Sequence, residues 1–528
     1  MVALCVACAG AASDPPDAGS ADEGLSPEIS DDTDAPDGAD GEVDPPLDAS
    51  ETEVDAAAGD DVEPQPEIGP DADADADSAP DTPLGELPDD SGPTSETQDA
   101  SDAVAASDTA ADTADAETVA SGCPDPTADD LLRQALILSG QNVVEVSIGL
   151  TQTNIAHLRA YPYQYVSASF SLADASGLLG PYEVAVRLKG GGDGTDGGSF
   201  QDIDHKPSFK VDMNRVVPCQ ALAGLTKLTL NNMVQDPSML HEWVAYGLYR
   251  DRDLPSPRVG YAWVVVNGQE YGLYSNIEVY DQASFRHTHL PSTQHLYEGQ
   301  SGADFSAALS GGFEVDHGDT LDRSDLNAAI AALVAAPPEG LVATTNKHFD
   351  WPAVATFLAI ERFTGQQDGY IQQRNNFYAH SDKDGRFTLM PWGHDTVLAT
   401  PLLFGYLKGN IAKRCLRDPD CHLLFEEALA AAAQEVAQGN LLGRIADRAA
   451  TLAPWVKADP RRPYSIAEHL AEVDVMAQFI EQQPARFASS IACVADTSTD
   501  FDGDGHDCLH DCDDTLATVY PGSVALCP

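Results

Sequence analysis

Residues 11–120 carry 35 Asp or Glu and not one Lys or Arg, and Pro, Ala, Ser, Thr and Gly fill most of the remainder. No other feature constrains the fold as strongly. With so few large apolar side chains, such a stretch cannot offset a backbone ordering cost of roughly 1–2 kcal/mol per residue, and its like charges repel and extend it. Residues 11–122 are expected to be a disordered acidic linker, which leaves folding to the residues beyond it. The linker supplies 35 of the formal net charge of −58, so the rest of the 528-residue chain is only moderately acidic. No run of cations suited to a phosphate backbone is visible, which argues against a nucleic-acid partner.

Residues 1–10, Met-Val-Ala-Leu-Cys-Val-Ala-Cys-Ala-Gly, form an apolar fragment that gives way to the polar linker. It reads as a signal-peptide remnant whose basic start lies upstream. In a lipoprotein-type signal Cys8 would carry the lipid; an ordinary signal remnant is the other reading. The expectation is an exported protein at the cell surface or outer membrane, touching the membrane through a lipid anchor at most. No later segment approaches the roughly 18–20 apolar residues of a membrane span. Ten cysteines are present and eight of them lie beyond the signal, an even number compatible with disulfides in an exported chain. Cys415 and Cys421 bracket a short charged loop and are the first pair to expect.

Order is expected from Cys123, where Leu131, Leu132, Leu136 and Ile137 fall at helical spacing. Strand-like runs follow at 143–150, 165–172, 182–189, 208–213 and 225–230. Runs at 257–266 and 271–279 flank Asn267-Gly268 and read as a hairpin. One helix, 238–250, interrupts the strands. The second half is helical at 325–334, 351–363, 423–438 and on towards Trp455, and 465–487, with a β-rich insert at 375–380 and 386–392. This order suggests a two-lobed α+β domain over 123–494, followed by a tail at 495–528.

Three constellations in that domain could carry chemistry. Arg187-Leu-Lys189 leads into the glycine-rich run Gly190–Ser199, with Lys206 and Lys210 on the next strand. A strand, a flexible loop and a lysine-bearing strand can cover nucleotide phosphates, although glycine-rich hairpins are mostly just turns. The helix at 238 follows Asp236 and Ser238, either of which can cap it. Glu242 stands one turn in, where its carboxylate could orient Lys206 or Lys210 or lie solvated near the helix dipole. The third set is Asp368, Asn375, Asn376 and Asp395 around a short hairpin. Phosphoryl transfer needs a carboxylate for the acceptor hydroxyl and an amide plus a second carboxylate to hold Mg²⁺. Asp368 suits the first role, and Asn375 or Asn376 with Asp395 the second.

These stretches, together with 228–242, Pro257-Arg258, Val266-Asn-Gly268, Tyr271-Gly-Leu-Tyr274 with Glu278, Asn375-Asn-Phe-Tyr378 and Pro391-Trp-Gly-His-Asp395, closely resemble the CotH family of spore-coat-protein-H-like atypical protein kinases. The resemblance spans about residues 140–490. It implies a kinase-like two-lobed fold that binds ATP with Mg²⁺ or Mn²⁺, Arg187, Lys189, Lys206, Lys210 and Glu242 serving the nucleotide, and phosphorylates Ser or Thr of surface proteins. Many members have Pro-Trp-Asp-x-Asp where this chain has Gly393 and His394 before Asp395. The alternative is a catalytically inactive surface module that keeps the fold for binding or structure.

The tail reads Asp500-Phe-Asp502-Gly-Asp504-Gly-His506, with Asp511 at the twelfth position. Oxygen ligands at positions 1, 3 and 5, glycine at 6, a carbonyl from His506 at 7 and an acid at 12 follow a Ca²⁺ loop. No incoming helix is expected before it. The tail resembles the Cys-rich metal-binding repeats at the ends of exported bacterial proteins. Cys508 and Cys512 are expected in disulfides, to Cys493 or Cys527, rather than as thiolate ligands.

Overall fold

The computed structural model describes residues 123–191, 198–280, 285–286, 289–402, 407–511 and 513–520. The signal remnant, the acidic linker, Gly192–Gly197 of the glycine-rich run, Cys512 and Cys527 lie outside them. The described residues form an α+β structure containing a closed seven-stranded barrel.

Helix α1 (Ala128–Ile137) leads into β1 (Val143–Gly149), α2 (Gln152–Ala160), β2 (Val166–Asp174), β3 (Gly177–Lys189), β4 (Ser208–Asp212) and β5 (Lys227–Asn231). Then come α3 (His241–Arg250), β6 (Val259–Val266) and β7 (Gln269–Ile277). The strand order is β1-β2-β3-β4-β5-β7-β6, and β1 closes the barrel by pairing parallel with β6. Alternation explains the closure: Val144, Val146, Val184, Val186, Leu188, Phe209, Val211, Leu228 and Leu230 all point into one core, leaving the next residue on each strand outside. Two residues sit at positive φ in the Asn267-Gly268 turn, +51° and +78°, as a tight hairpin requires. α3 covers the outside of β6 and begins at His241, three residues later than the spacing suggested.

The second half begins with β8 (His295–Gly299), β9 (Phe313–His317), α4 (Ser324–Ala335), the short α5 (Leu341–Thr345) and α6 (Trp351–Thr364). It continues through β10 (Phe377–Ser381), β11 (Phe387–Pro391), α7 (Asn410–Cys415), α8 (Pro419–Gln438), α9 (Leu441–Ala458), α10 (Ile466–Arg486) and α11 (Ala488–Ala495). The expected hairpin at 375–392 is half of a four-stranded sheet, β11-β10-β8-β9. The long helix expected to run from 423 towards Trp455 breaks at Gly439 and Asn440. Asp418 caps α8 through the Cys421 N–H at 3.0 Å and also accepts the N–H groups of Gly340 and Leu341. Disulfides join Cys415 to Cys421, as the spacing suggested, Cys123 to Cys219, and Cys493 to Cys508. Among the described residues no helix is long and apolar enough to cross a membrane.

Candidate functional site

The outer face of the barrel carries a polar row where a β-sheet would ordinarily expose or cover apolar groups. Lys189 on β3 is in register with Ser208 on β4. Ser208 hydrogen-bonds Asn231 of β5 at 3.4 Å, and Asn231 faces Ser275 of β7. Over this row α3 lays Glu242, which is buried; Asn231 Nδ2 donates to it at 3.0 Å and Ser275 Oγ approaches at 3.5 Å. Burial pushes the Glu242 carboxyl up to about 8, the negative charge of Asp395 adds to the rise, and the ammonium of Lys189 opposes it. Asp395 is likewise raised by burial and drawn down by Lys189. Two carboxylates thus share one ammonium, and a further positive charge would be favoured there.

The turn before α3 holds Asp395 in place. Asp236 accepts the Ser238 hydroxyl and the N–H groups of Met239 and His241 at 2.6–2.8 Å, and Ser238 Oγ accepts the Leu240 N–H. Neither expected residue is the N-cap: that position is Leu240, which makes no side-chain capping bond, and Asp236 and Ser238 brace the turn before it. His241 Nδ1 bonds the Asp395 carbonyl at 2.8 Å. His394 turns the other way, into the core, where Nδ1 meets the Trp392 carbonyl at 2.9 Å and Nε2 meets the Tyr249 hydroxyl at 3.2 Å. Burial lowers its pKa to about 4, so it is a neutral packing group between Tyr246 and Tyr249 and not a stand-in for the missing family carboxylate.

Asp368, Asn375 and Asn376 do converge. Asn376 Nδ2 donates to the exposed Asp368 carboxylate at 2.9 Å and Asn375 Nδ2 at 3.2 Å, while partial desolvation by the surrounding protein raises the Asp368 pKa against these bonds. Both amides spend their N–H₂ groups on Asp368, which leaves their carbonyl oxygens for another partner. Gly393 sits directly against this pair at φ +57°, and a Cβ there would lie 2.7 Å from Asn376 Oδ1. The Asn376 oxygen thus takes up space that a side chain at 393 would need.

A residue that the motif reading missed fixes the Asp368 turn. Glu361 on α6 is fully buried and accepts the N–H groups of Tyr370 at 2.5 Å and Ile371 at 3.0 Å. Its Oε1 would lie 1.7 Å from a Cβ at position 369, so only glycine fits. An acid among Phe357, Leu358, Ile360 and Phe363 is the sequence signal that could have found it. Burial pushes Glu361 up to about 8, whereas an unfolded Glu titrates near 4.3. Between those values the folded chain holds a proton that the unfolded chain has released, so stability should fall as pH rises from about 4.5 to 8, at up to roughly 1 kcal/mol per pH unit for this group. Urea unfolding across that range should be flatter in Glu361→Gln. An unchanged slope would assign the effect elsewhere.

Of the remaining nucleotide candidates, Arg187 and Lys210 are cross-strand partners on the side of the sheet away from the barrel core, and Arg187 is fully buried there. Lys206 is not part of it. Its ammonium lies 2.6 Å from Asp459 at the end of α9, with both side chains buried, and Tyr274 stacks over it at 5.3 Å. The lysine beside Glu242 is therefore Lys189, not Lys206 or Lys210.

In the tail, Asp500 accepts the N–H groups of Gly503, Asp504 and Gly505 and so shapes the loop, with Gly505 at φ +99°. Asp502 and Asp504 each bury an oxygen that has no hydrogen-bond partner. Asp514, three residues beyond the expected loop, does the same while its other oxygen holds the Phe501 N–H at 2.9 Å. Carboxylate oxygens of Asp500, Asp502 and Asp504 lie within 4.8 Å of one another, as do those of Asp502, Asp511 and Asp514. Burial and the surrounding acids push Asp514 up to about 6. His506 stacks on Tyr520. Contrary to expectation an incoming helix is present, since α11 ends just before the loop and is tied to it through Cys493–Cys508.

Comparison with known proteins places the sequence in a family. The sequence profile described as CotH kinase protein matches residues 187–486, which include Lys189, Glu242, Asp368 and Asp395. The inner spore coat protein H of Bacillus subtilis (strain 168) is 21% identical over 280 residues, covering 49% of this chain and 77% of that protein. Spore coat protein homolog 1 of Rhizopus delemar is 24% identical over 253 residues, covering 42% of this chain and 41% of that protein. An inner spore coat protein H-like protein of Bacillus subtilis is 29% identical over 86 residues, 16% of this chain and 26% of that protein. The chain belongs to the CotH kinase protein family.

Proposed function

We propose that this protein is an exported, two-lobed kinase-like phosphotransferase that moves the γ-phosphoryl group of ATP to Ser or Thr hydroxyls of surface proteins. The observation that carries the reading is the meeting of Lys189, Glu242 and Asp395 beside the barrel, with Asp368 held by two amides on the neighbouring hairpin. Glu242 orients the Lys189 ammonium toward the phosphates. Asp368 takes up or orients the acceptor hydroxyl, and its raised pKa brings it nearer to a proton-accepting role at neutral pH. Asp395 with the carbonyl oxygen of Asn375 or Asn376 would hold Mg²⁺ or Mn²⁺, a set of hard oxygen donors where two carboxylates share a single ammonium. Bound there, the ion would neutralise phosphate charge. Relatives named for spore coats suggest a coat or envelope layer, reached by export and held by a lipid on Cys8, a setting where protein hydroxyls would be met.

Incubation of the purified chain with γ-labelled ATP and Mg²⁺ or Mn²⁺ should label protein, and Asp395→Ala should abolish the signal. Absence of both labelling and a nucleotide-induced thermal shift would sink the enzyme reading. The second reading, a nucleotide-binding or structural surface module without catalysis, draws on Gly393 in place of a carboxylate. It predicts a thermal shift with no labelling.

The tail is proposed to bind Ca²⁺ through Asp500, Asp502, Asp504, the His506 carbonyl and Asp511, with Asp514 added by the geometry. Calcium should raise the melting temperature and slow hydrogen exchange across 490–520. Exchange unaltered by chelation would remove the assignment.

A further inference from the structure

Two buried histidines each present a ring nitrogen that finds no hydrogen-bond partner among the described residues. His241, the first residue of α3, and His469, near the start of α10, are each 2% exposed, and Nε2 of both is buried and unpartnered. Nδ1 of both is engaged by a main-chain carbonyl, that of Asp395 at 2.8 Å for His241 and that of Pro237 at 3.0 Å for His469. A carbonyl oxygen can only accept, so Nδ1 carries the proton in each ring and Nε2 of the neutral imidazole is a bare lone pair.

The two rings share a neighbour. Glu472 follows His469 by three residues, which puts both side chains on one face of α10, and its Oε1 lies 3.8 Å from His241 Nε2. That separation is too long for a hydrogen bond. It is near the roughly 3.3–3.6 Å between two ligands of a tetrahedral Zn²⁺ at bond lengths of roughly 2.0–2.2 Å. A lone pair and a carboxylate are two acceptors with no donor between them, an arrangement that calls for a cation or a proton. One turn of chain ties the histidines together: Asp236 accepts the His241 N–H at 2.8 Å, and the adjacent Pro237 carbonyl holds His469. Burial, and then the negative charges of Asp236, Glu468, Glu472 and Asp395, raise the pKa of the neighbouring Tyr464 hydroxyl, so acids crowd this corner.

We propose that His241 Nε2, His469 Nε2 and the Glu472 carboxylate bind a divalent transition-metal ion of the Zn²⁺ class, which pins the turn holding Asp395 to α10. Each histidine already has the arrangement that orients a metal-ligating imidazole, its other ring N–H given to a carbonyl. Two imidazoles and one carboxylate favour Zn²⁺ and its neighbours over Mg²⁺ and Ca²⁺, which sets this site apart from Asp395 and from the tail. Among the described residues only the tail aspartates already gather three ligand atoms within 4.8 Å, so the ion has to draw its ligands together. Glu472, whose side chain is 23% exposed, has the room to swing inward. Binding of this ion is independent of the phosphotransferase reading.

Isothermal titration of the chelator-stripped full chain with Zn²⁺, in excess Ca²⁺ and Mg²⁺ to fill all-oxygen sites, tests the proposal. One equivalent should bind and raise the melting temperature. His469→Asn and Glu472→Gln should each weaken binding by at least about 100-fold, the upper end of the scale for losing a group that only orients a ligand, and should melt near the natural chain when metal-free. No bound equivalent, or binding that survives both substitutions, would overturn the site. Co²⁺ supplies a readout that needs no variant: its visible bands should strengthen and shift on entering a low-coordinate site with nitrogen ligands, and bands identical to those of the free ion would overturn the proposal. Nitrogen-15 spectra of the histidine-labelled, metal-free chain at neutral pH should show Nε2 of both rings unprotonated. Protons on both nitrogens of His241 would make its contact with Glu472 a plain ion pair and remove the metal.

Discussion

Changing Asp459 to Asn is expected to lower the unfolding free energy by about 3–5 kcal/mol, because it strands the buried Lys206 ammonium without a counter-charge. Burial already lowers the Lys206 pKa, and Asp459 is the group that opposes this. The same carboxylate accepts the Leu273 N–H at 2.9 Å and the Arg461 N–H at 2.8 Å. Its Oδ1 would lie 1.9 Å from a Cβ at Gly272, so the Tyr271-Gly-Leu-Tyr274 stretch contains glycine to let the end of α9 reach the barrel. Lys206→Met combined with Asp459→Asn should recover much of the loss, since the acceptor remains and no buried charge is left. Denaturant titration of the single and double variants measures the coupling. If Lys206→Met kept full stability but lost ATP-analogue binding, the phosphate role suggested by its position before β4 would be right and the structural role of the buried pair wrong.

On the phosphotransferase reading, the largest effect on activity is expected at Lys189. Lys189→Met should reduce phosphoryl transfer on the order of 10²–10³-fold, the usual scale for deleting one preorganised electrostatic contact, with little change in folding. Glu242→Gln should act in the same direction but less, because Asn231 would still hold its side chain. Initial rates with labelled ATP, together with thermal melts, separate the two effects. A Lys189→Met chain with unaltered rate would show that Glu242 and Asp395 share this ammonium for structural reasons alone.

Local pattern made much of the fold legible. Val184, Val186 and Leu188 announce β3 by alternation, Asn267-Gly268 announces the hairpin, and Cys415 and Cys421 announce their bridge. Closure of the sheet was not legible, since pairing of Val143 with Tyr261 depends on register between distant segments. β8 and β9, which extend the sheet begun by the expected hairpin, were not expected. α2 buries only Leu158, so it has little apolar face for spacing to reveal. At the site, residue types and order singled out Asp368, Asn375, Asn376, Glu242 and Asp395, and the structure brings both amides to Asp368 and Glu242 close to Asp395. Choosing among Lys189, Lys206 and Lys210 required knowing that Asp459, far along the chain, claims Lys206. Asp514 lay past the twelve-residue template, although its oxygens face the same loop.

Barrel closure also sets a timetable. A chain delivered N-terminus first, from a ribosome or through a pore, presents β1 long before its parallel neighbour β6, more than one hundred residues later. Until Val266 emerges, the pairing that closes β1 cannot form, so β1 to β5 can make only an open sheet, braced by the Cys123–Cys219 bridge. The interval is a window for mispairing, and it closes in a single step when the β6–β7 hairpin arrives, bringing the two strands that seal the barrel.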